Sequence, residues 1–245
     1  MSIDIKTAVV LAAGMGTRLR GVTGNKIPKG FLPIDGVTLI ERSIRLLRSC
    51  GIENVYIVTG NLSQFYEKLA EENNYIVTTK NERYSETGSM ASLACLDGMI
   101  SEDFLLLESD LIYERRALTE AINFSKEDCI LVSGKTNSGD EYYVSVKENE
   151  CLDKASKVKS EVDSIYGEWV GISKVSYKLF NEMIRYYNFV EEEIHYEDAF
   201  VGVSRELPIP TYKIEDLIWS EIDDQNHLER VNSLILPKIK IVDEV

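Results

Sequence analysis

The amino-acid sequence predicts a three-layer α/β fold, a mixed, mostly parallel sheet covered on both faces with a small β-rich lid. Three observations carry this. Apolar strand-like runs alternate with helical patterns through the first half, the first run leads straight into a glycine-rich loop, and the pattern turns to hairpins after about residue 140. At 245 residues, with 44% hydrophobic and 28% charged residues, the chain has an ordinary globular composition and can bury a large core.

Residues 7–13, TAVVLAA, form a continuous apolar run of the kind found in central parallel strands. Residues 38–51 have helical apolar spacing, a threonine at the N-cap and a glycine stop. NVYIVTG (54–60) reads as a strand, LSQFYEKLAEEN (62–73) as a helix and YIVTT (75–79) as a strand. SMASLACLDGM (89–99) reads as a helix, and DFLLLESD (103–110) as a strand ending at Asp110. Helix and strand recur in ERRALTEAINF (114–124) and DCILVSG (128–134). Ligands of such folds collect at the carboxyl ends of the strands. In the second half, residues 142–157 read as a hairpin turning near Glu148 and Asn149, 166–175 as a strand and 176–187 as an amphipathic helix. With no linker rich in Pro, Gly or Ser, this half is expected to pack on the same sheet, giving a single domain over 1–245. Residues 236–245 end without a clear cap, as they would where a longer protein with a further catalytic domain continues.

The acids outnumber the bases 41 to 27, for a formal charge of −14, so nucleic acid and anionic membranes are excluded as partners by the field of the whole molecule. Between Ile5 and Ile34, however, stand Lys6, Arg18, Arg20, Lys26 and Lys29 and no acid. Such a loop can simply be solvated, but Gly14 and Gly16 lie within it, and bare backbone beside positive charge favours an anion site. Cys50, Cys95, Cys129 and Cys151 lack CxxC spacing and read as buried thiols. No segment approaches the roughly 20 apolar residues of a membrane span, and a cytoplasmic location is expected.

The glycines after the first strand let the backbone approach a nucleotide closely. GxxxxGK[ST] is absent, and Leu19 stands where GxGxxG needs its last glycine. The joined pattern GxGTRLxxxT and PKxxLPI in residues 10–34 instead resembles the signature of nucleotidyltransferases that couple an NTP to a phosphorylated small molecule. NERYSETGSMASL (81–93) resembles the second motif of the branch with phosphocholine and 2-aminoethylphosphonate cytidylyltransferases. ESDLIY (108–113) resembles its metal-binding strand end, and WSEIDDQNHLERV (219–231) its closing motif. Gly21 departs from the pattern, standing where many relatives carry proline.

The resemblance implies a Rossmann-like three-layer nucleotidyltransferase fold, with the nucleotide in about 1–135 and the acceptor in about 136–245. It implies that Leu11, Ala12, Ala13 and Gly14, with Gly88 and Ser89 opposite and Asn81 behind, hold the base, cytosine being favoured. Gly16, Thr17 and Arg18 would face the β and γ phosphates, Lys29 the α phosphate, and Lys26 would be a further contact. Asp110 and Asp223 would hold Mg²⁺, with Asp224 the alternative to Asp223, since either acid could instead cap the following helix. Neither His195 nor His227 falls within a glycine or metal motif, and none is needed: a phosphonate or phosphate monoester is already largely dianionic at neutral pH.

For the acceptor the second half offers Lys135, Asp140, Glu141, Tyr142, Tyr143, Glu168, Trp169, Glu197 and Asp198. Lys135 would take the anionic end of a small zwitterion and the carboxylates its cationic end. Paired acids suit a primary ammonium with three donors better than a quaternary one, which favours an aromatic cage. The expected reaction joins CTP and 2-aminoethylphosphonate with release of pyrophosphate. Phosphocholine or a sugar 1-phosphate is an alternative acceptor, and a non-catalytic nucleotide sensor the alternative of another class. All of it requires Lys29 and Asp110 on the same side of the molecule.

Overall fold

The computed structural model of the chain describes residues 5–190 and 193–243; the last two residues of the uncapped terminus lie outside the described residues. β1 (Thr7–Ala12) runs into a 3₁₀ turn, Thr17–Leu19, a short helix α1 (Arg20–Thr23) and the two-residue strands β2 (Pro33–Ile34) and β3 (Val37–Thr38). Then follow α2 (Leu39–Ser49), β4 (Asn54–Thr59), α3 (Gln64–Glu71), β5 (Ile76–Lys80), α4 (Ser89–Ala94) and β6 (Phe104–Glu108). The chain continues through β7 (Leu111–Tyr113), α5 (Arg116–Asn123), β8 (Cys129–Ser133), β9 (Tyr143–Val146), β10 (Leu152–Ser156) and β11 (Gly167–Val175). Last come α6 (Tyr177–Phe189), α7 (Tyr196–Val203), β12 (Thr211–Ile214), β13 (Trp219–Glu221), α8 (Gln225–Arg230), a π turn and α9 (Leu236–Asp243). No helix among the described residues is long and apolar enough to cross a membrane.

Local chemistry sets these boundaries. Thr38 forms a capping box with Glu41: its hydroxyl accepts from the Glu41 amide at 3.3 Å, and the Glu41 carboxylate accepts from the Thr38 amide at 3.1 Å. Behind the cap, Leu39, Ile40, Ile44 and Leu47 turn one face of α2 into the core. β1 is buried along its whole length, as a central parallel strand must be. The expected helix at 89–99 is shorter, ending at Ala94 before a run of turns that Gly98, at φ +76°, helps to close.

The sheet has nine strands in the order β10-β9-β11-β6-β1-β4-β5, with β8 and β12 joined through β11. β6, β1, β4 and β5 are mutually parallel, whereas β11 runs antiparallel to β6, β8 and β9. The second half therefore extends the same sheet. Two apolar layers cover its faces, and a third packs the end of the first loop, through Leu19, Leu32 and Ile34, against Ile222, Val231 and Ile235.

Two features aim this scaffold at one place. β4 lies on one side of β1 and β6 on the other, so the connections diverge there and leave a crevice at the strand carboxyl ends. β13 also pairs antiparallel with β7, matching Leu111 with Glu221, and the Ile222 amide donates to the Asp110 carbonyl at 3.0 Å. That pairing seats the two distant acidic segments side by side.

Candidate active site

A cavity of about 600 Å³ opens at that crevice. Leu11, Ala12, Ala13 and Gly14 leave β1 on one wall, Gly88 and Ser89 start α4 on another, and Asp110 and Asp223 form the floor beside Arg18 and Lys29. The Lys29 ammonium lies between the acids, 2.8 Å from Asp110 Oδ2 and in contact with Asp223 Oδ1. Arg18 clasps the other oxygen of Asp223 and reaches Asp140 Oδ2 at 2.8 Å; Asp140 Oδ1 accepts from Lys157 at 3.2 Å. Asp110, Lys29, Asp223, Arg18, Asp140 and Lys157 thus form one chain of alternating charge.

The loop is shaped to allow this. Gly16 sits at φ +59°, and a Cβ there would come within 3.1 Å of the Lys29 stem. A Cβ on Gly30 would meet the Tyr66 hydroxyl at 2.6 Å, so the turn carrying Lys29 packs directly on the buried Tyr66. His227 accepts from the Asp223 amide through Nδ1 at 3.2 Å, while Asp224 caps α8 by accepting from the His227 amide at 2.9 Å. Of the two neighbouring acids, Asp223 faces the cavity and Asp224 serves the helix.

The electrostatics follow from burial. Desolvation alone would lower the affinity of Lys29 for its proton, but the charges of Asp110 and Asp223 reverse that and hold it well above the usual lysine range. Desolvation would likewise raise Asp223; a hydrogen bond from Glu221 and the two cations bring it well below the carboxylate range. Glu221 is pushed far up, first by burial, then by that hydrogen bond and the charge of Asp110. Oxygens of Glu108, Asp110 and Glu221, and of Asp140, Glu221 and Asp223, come within 4.8 Å of one another. Hard oxygen donors so grouped fit a divalent cation such as Mg²⁺.

Other expected residues fall elsewhere. Asn81 is buried behind α4 and the loop before it, donating to Thr87 at 2.9 Å and Ser92 at 3.1 Å and accepting from the Arg83 amide at 2.9 Å. Thr17 and Lys26 are exposed on the loop, and neither they nor Gly16 line the cavity. Glu197 and Asp198 do line it, and Trp169 lines a small adjacent recess that shares Glu108, Tyr142, Lys157, Glu197 and Glu221 with its walls. Glu168 is spent on the Thr136 amide at 2.9 Å, and Glu141 on the Gly139 amide at 3.1 Å. Lys135 is exposed and outside the cavity, because the chain turns outward after Gly134; the lysine on the wall is Lys157, after β10.

Sequence reasoning missed Lys157, Glu108, Glu221 and Tyr84, all of which line the cavity, as does Tyr142 of the expected acceptor set. Glu108 and Glu221 lie two residues before the chosen aspartates, the same-face spacing of a strand, and that signal could have found them. Glu108 is held well above the carboxylate range by burial and by the charges of Glu197 and Asp110, and accepts from the Tyr196 hydroxyl at 3.1 Å. Gly171, at φ +78° in a bulge of β11, makes room for it: a Cβ would lie 2.9 Å from its carboxylate. Glu197 Oε2 and the indole nitrogens of Trp169 and Trp219 are buried without a hydrogen-bond partner, so this end of the cavity has polar groups to offer a ligand.

The fold is that of the inositol-1-phosphate CTP transferase from T. maritima, with a TM-score of 0.82 and 24% identity over 96% of each chain. In sequence the chain is 23% identical to the CTP:phosphoglutamine cytidylyltransferase of Campylobacter jejuni, over 91% of this chain and 97% of that one. It is 28% identical to the choline-phosphate cytidylyltransferase of Streptococcus pneumoniae, over 67% and 80%. Identity to the 2-aminoethylphosphonate cytidylyltransferase of Lancefieldella rimae is 30%, but over only 43% of each. Several other relatives are bifunctional proteins of which the chain spans about half. The family of MobA-like NTP transferase domains matches residues 8–168, a stretch that contains the basic loop, Gly88, Ser89 and Asp110; the chain belongs to that family of nucleotidyltransferases.

Proposed function

We propose that the protein is a cytidylyltransferase that transfers CMP from CTP to 2-aminoethylphosphonate and releases pyrophosphate. The observation that carries this reading is the adjacency of the cavity and the recess. A cation pair and an acid pair stand beside a buried carboxylate recess that Lys157 also lines, and Glu108 and Glu221 border both.

In this reading the base lies against Leu11–Gly14 and Gly88–Ser89. Arg18 turns from Asp140 and Asp223 to the departing pyrophosphate, whose oxygens match its planar donors. Lys29 stabilises the nonbridging oxygens of the α phosphorus as charge gathers there in the transition state. Lys157 takes the acceptor phosphonate, the role first given to Lys135, and its oxygen attacks in line without a general base. The acceptor ammonium enters among Glu197, Glu108 and Tyr142. Asp110 and Asp223, with Glu221 beside them, would hold Mg²⁺, which when bound supplies charge neutralisation and a template for the phosphates.

Phosphocholine is the second reading. Tyr142, Trp169, Tyr196 and Phe200 form a run of edge-on ring contacts with centroids 5.4–6.3 Å apart beside the recess, a surface that a quaternary ammonium could use. Incubation with each NTP, Mg²⁺ and a panel of acceptors, followed by pyrophosphate release, separates these. CTP with the aminophosphonate should give the highest kcat/KM. Higher kcat/KM with phosphocholine or a sugar 1-phosphate replaces the acceptor, and nucleotide binding without release under any acceptor makes the protein a sensor.

A further inference from the structure

The wall formed by Gly88 and Ser89 is held from the other half of the molecule. The Met90 amide donates to the Ile194 carbonyl at 3.3 Å, and a Cβ on Gly88 would overlap that carbonyl. The Tyr196 amide donates to Ser89 Oγ at 3.1 Å. Between them, His195 Nδ1 lies 3.4 Å from the Ser89 amide nitrogen and 3.2 Å from Ser89 Oγ.

A backbone amide can only donate. Nδ1 is therefore the acceptor and carries no proton, which in a neutral ring places the proton on Nε2. The Ser89 hydroxyl, already accepting from Tyr196, turns its own hydrogen to the same Nδ1. His195 thus ties down the first turn of α4 through two contacts, while its exposed ring lines the cavity. His195 also opens α7 as its N-cap, its backbone amide donating to Asp198 Oδ2 at 2.9 Å, so one residue joins the starts of the two helices. The residues that follow, Glu197 and Asp198, line the acceptor end, and the Tyr196 hydroxyl reaches Glu108.

Resting on the cytidylyltransferase reading, we propose that His195 is a positioning residue for the nucleotide. Held as the Nε2–H tautomer, it fixes the Gly88–Ser89 wall from the acceptor half, so that the strap carrying the acceptor carboxylates also completes the base site. Ser89 remains the group that meets the base; His195 acts through it.

The test compares wild type with His195→Ala and His195→Asn, whose amide oxygen stands near the Nδ1 position and can accept from the Ser89 amide. Loss of a neutral hydrogen bond should raise KM for CTP about 3- to 10-fold in the alanine variant, with a smaller change in kcat, and asparagine should recover most of it. An unchanged KM in the alanine variant, or a loss that asparagine does not relieve, overturns the proposal. A long-range ¹H–¹⁵N spectrum of the wild-type histidines in mildly alkaline buffer gives a second readout independent of turnover and of variant folding. An unprotonated Nδ1 and protonated Nε2 on His195 are expected, and a protonated Nδ1 overturns the proposal whatever the kinetics. Failure of the enzymatic reading looks different: wild type then releases no pyrophosphate from CTP with any acceptor, before a variant is made.

Discussion

Lys29 serves two carboxylates at once, and this double duty makes its removal informative. Its ammonium is the shared counter-ion of Asp110 and Asp223 and the proposed partner of the α phosphate during transfer. Lys29→Ala should lower kcat by at least about 10²-fold, the usual effect of deleting one preorganised transition-state donor, as read from pyrophosphate release. Glu197 supplies a pH test. Burial, with the charge of Asp198 and against a backbone hydrogen bond, pushes its carboxyl up to about 7. Between an unfolded value of about 4.3 and about 7 the folded chain holds a proton that the unfolded chain has lost. This group's contribution to stability therefore falls as pH rises across that window and is flat above it. A cationic acceptor needs the carboxylate ionised, so KM for the acceptor should fall as pH rises through 7. Glu197→Gln should retain only the part of that profile due to the acceptor's own ionisation, and two identical profiles would remove Glu197 from the acceptor site.

Elements separate stability from binding more cleanly. The Thr38–Glu41 box lies at the start of α2, whose residues do not line the cavity, and Thr38→Ala should cost about 1 kcal/mol in urea unfolding with KM for CTP unchanged. Gly88→Ala acts the other way, because its Cβ would collide with the Ile194 carbonyl and push the start of α4 off the strap. Isothermal titration should show CTP affinity reduced at least about tenfold, and wild-type affinity would mean that the base does not use this wall. The contrast bears on what the residues alone could reveal. β1, its loop and the capped α2 were legible because each signal lies within one contiguous stretch: an apolar run, glycines, a threonine N-cap with a glycine stop. Lys157 and Lys135 both follow strands, and only the folding of the 134–142 and 156–162 loops decides which reaches Asp140. Glu221 was hidden for a related reason, since its position depends on β13 pairing with β7 across about half the chain.

For the molecule as a whole, a formal charge of −14 opposes the approach of a triphosphate, so CTP must be held by the local network and not by the overall field. That network is internally balanced: Lys29, Arg18 and Lys157 interleave with Asp110, Asp223 and Asp140, and burial with the neighbouring acids pushes Glu221 up. Folding should then be independent of a divalent cation, unlike proteins whose site acids are satisfied only by metal. Chelation with EDTA should move Tm by less than about 2 °C while abolishing pyrophosphate release. Mg²⁺ alone should also do little, because it must displace the Lys29 ammonium from the acids it would occupy. CTP with Mg²⁺ removes that competition by giving Lys29 and Arg18 phosphate oxygens in exchange. At a free concentration near 100 times Kd the pair should stabilise by about 2.7 kcal/mol, a rise of roughly 5–10 °C for a chain of this size. A large shift with Mg²⁺ alone, or a fall in Tm on chelation, would mean that the acids are not balanced by the basic loop and that the cation is part of the fold.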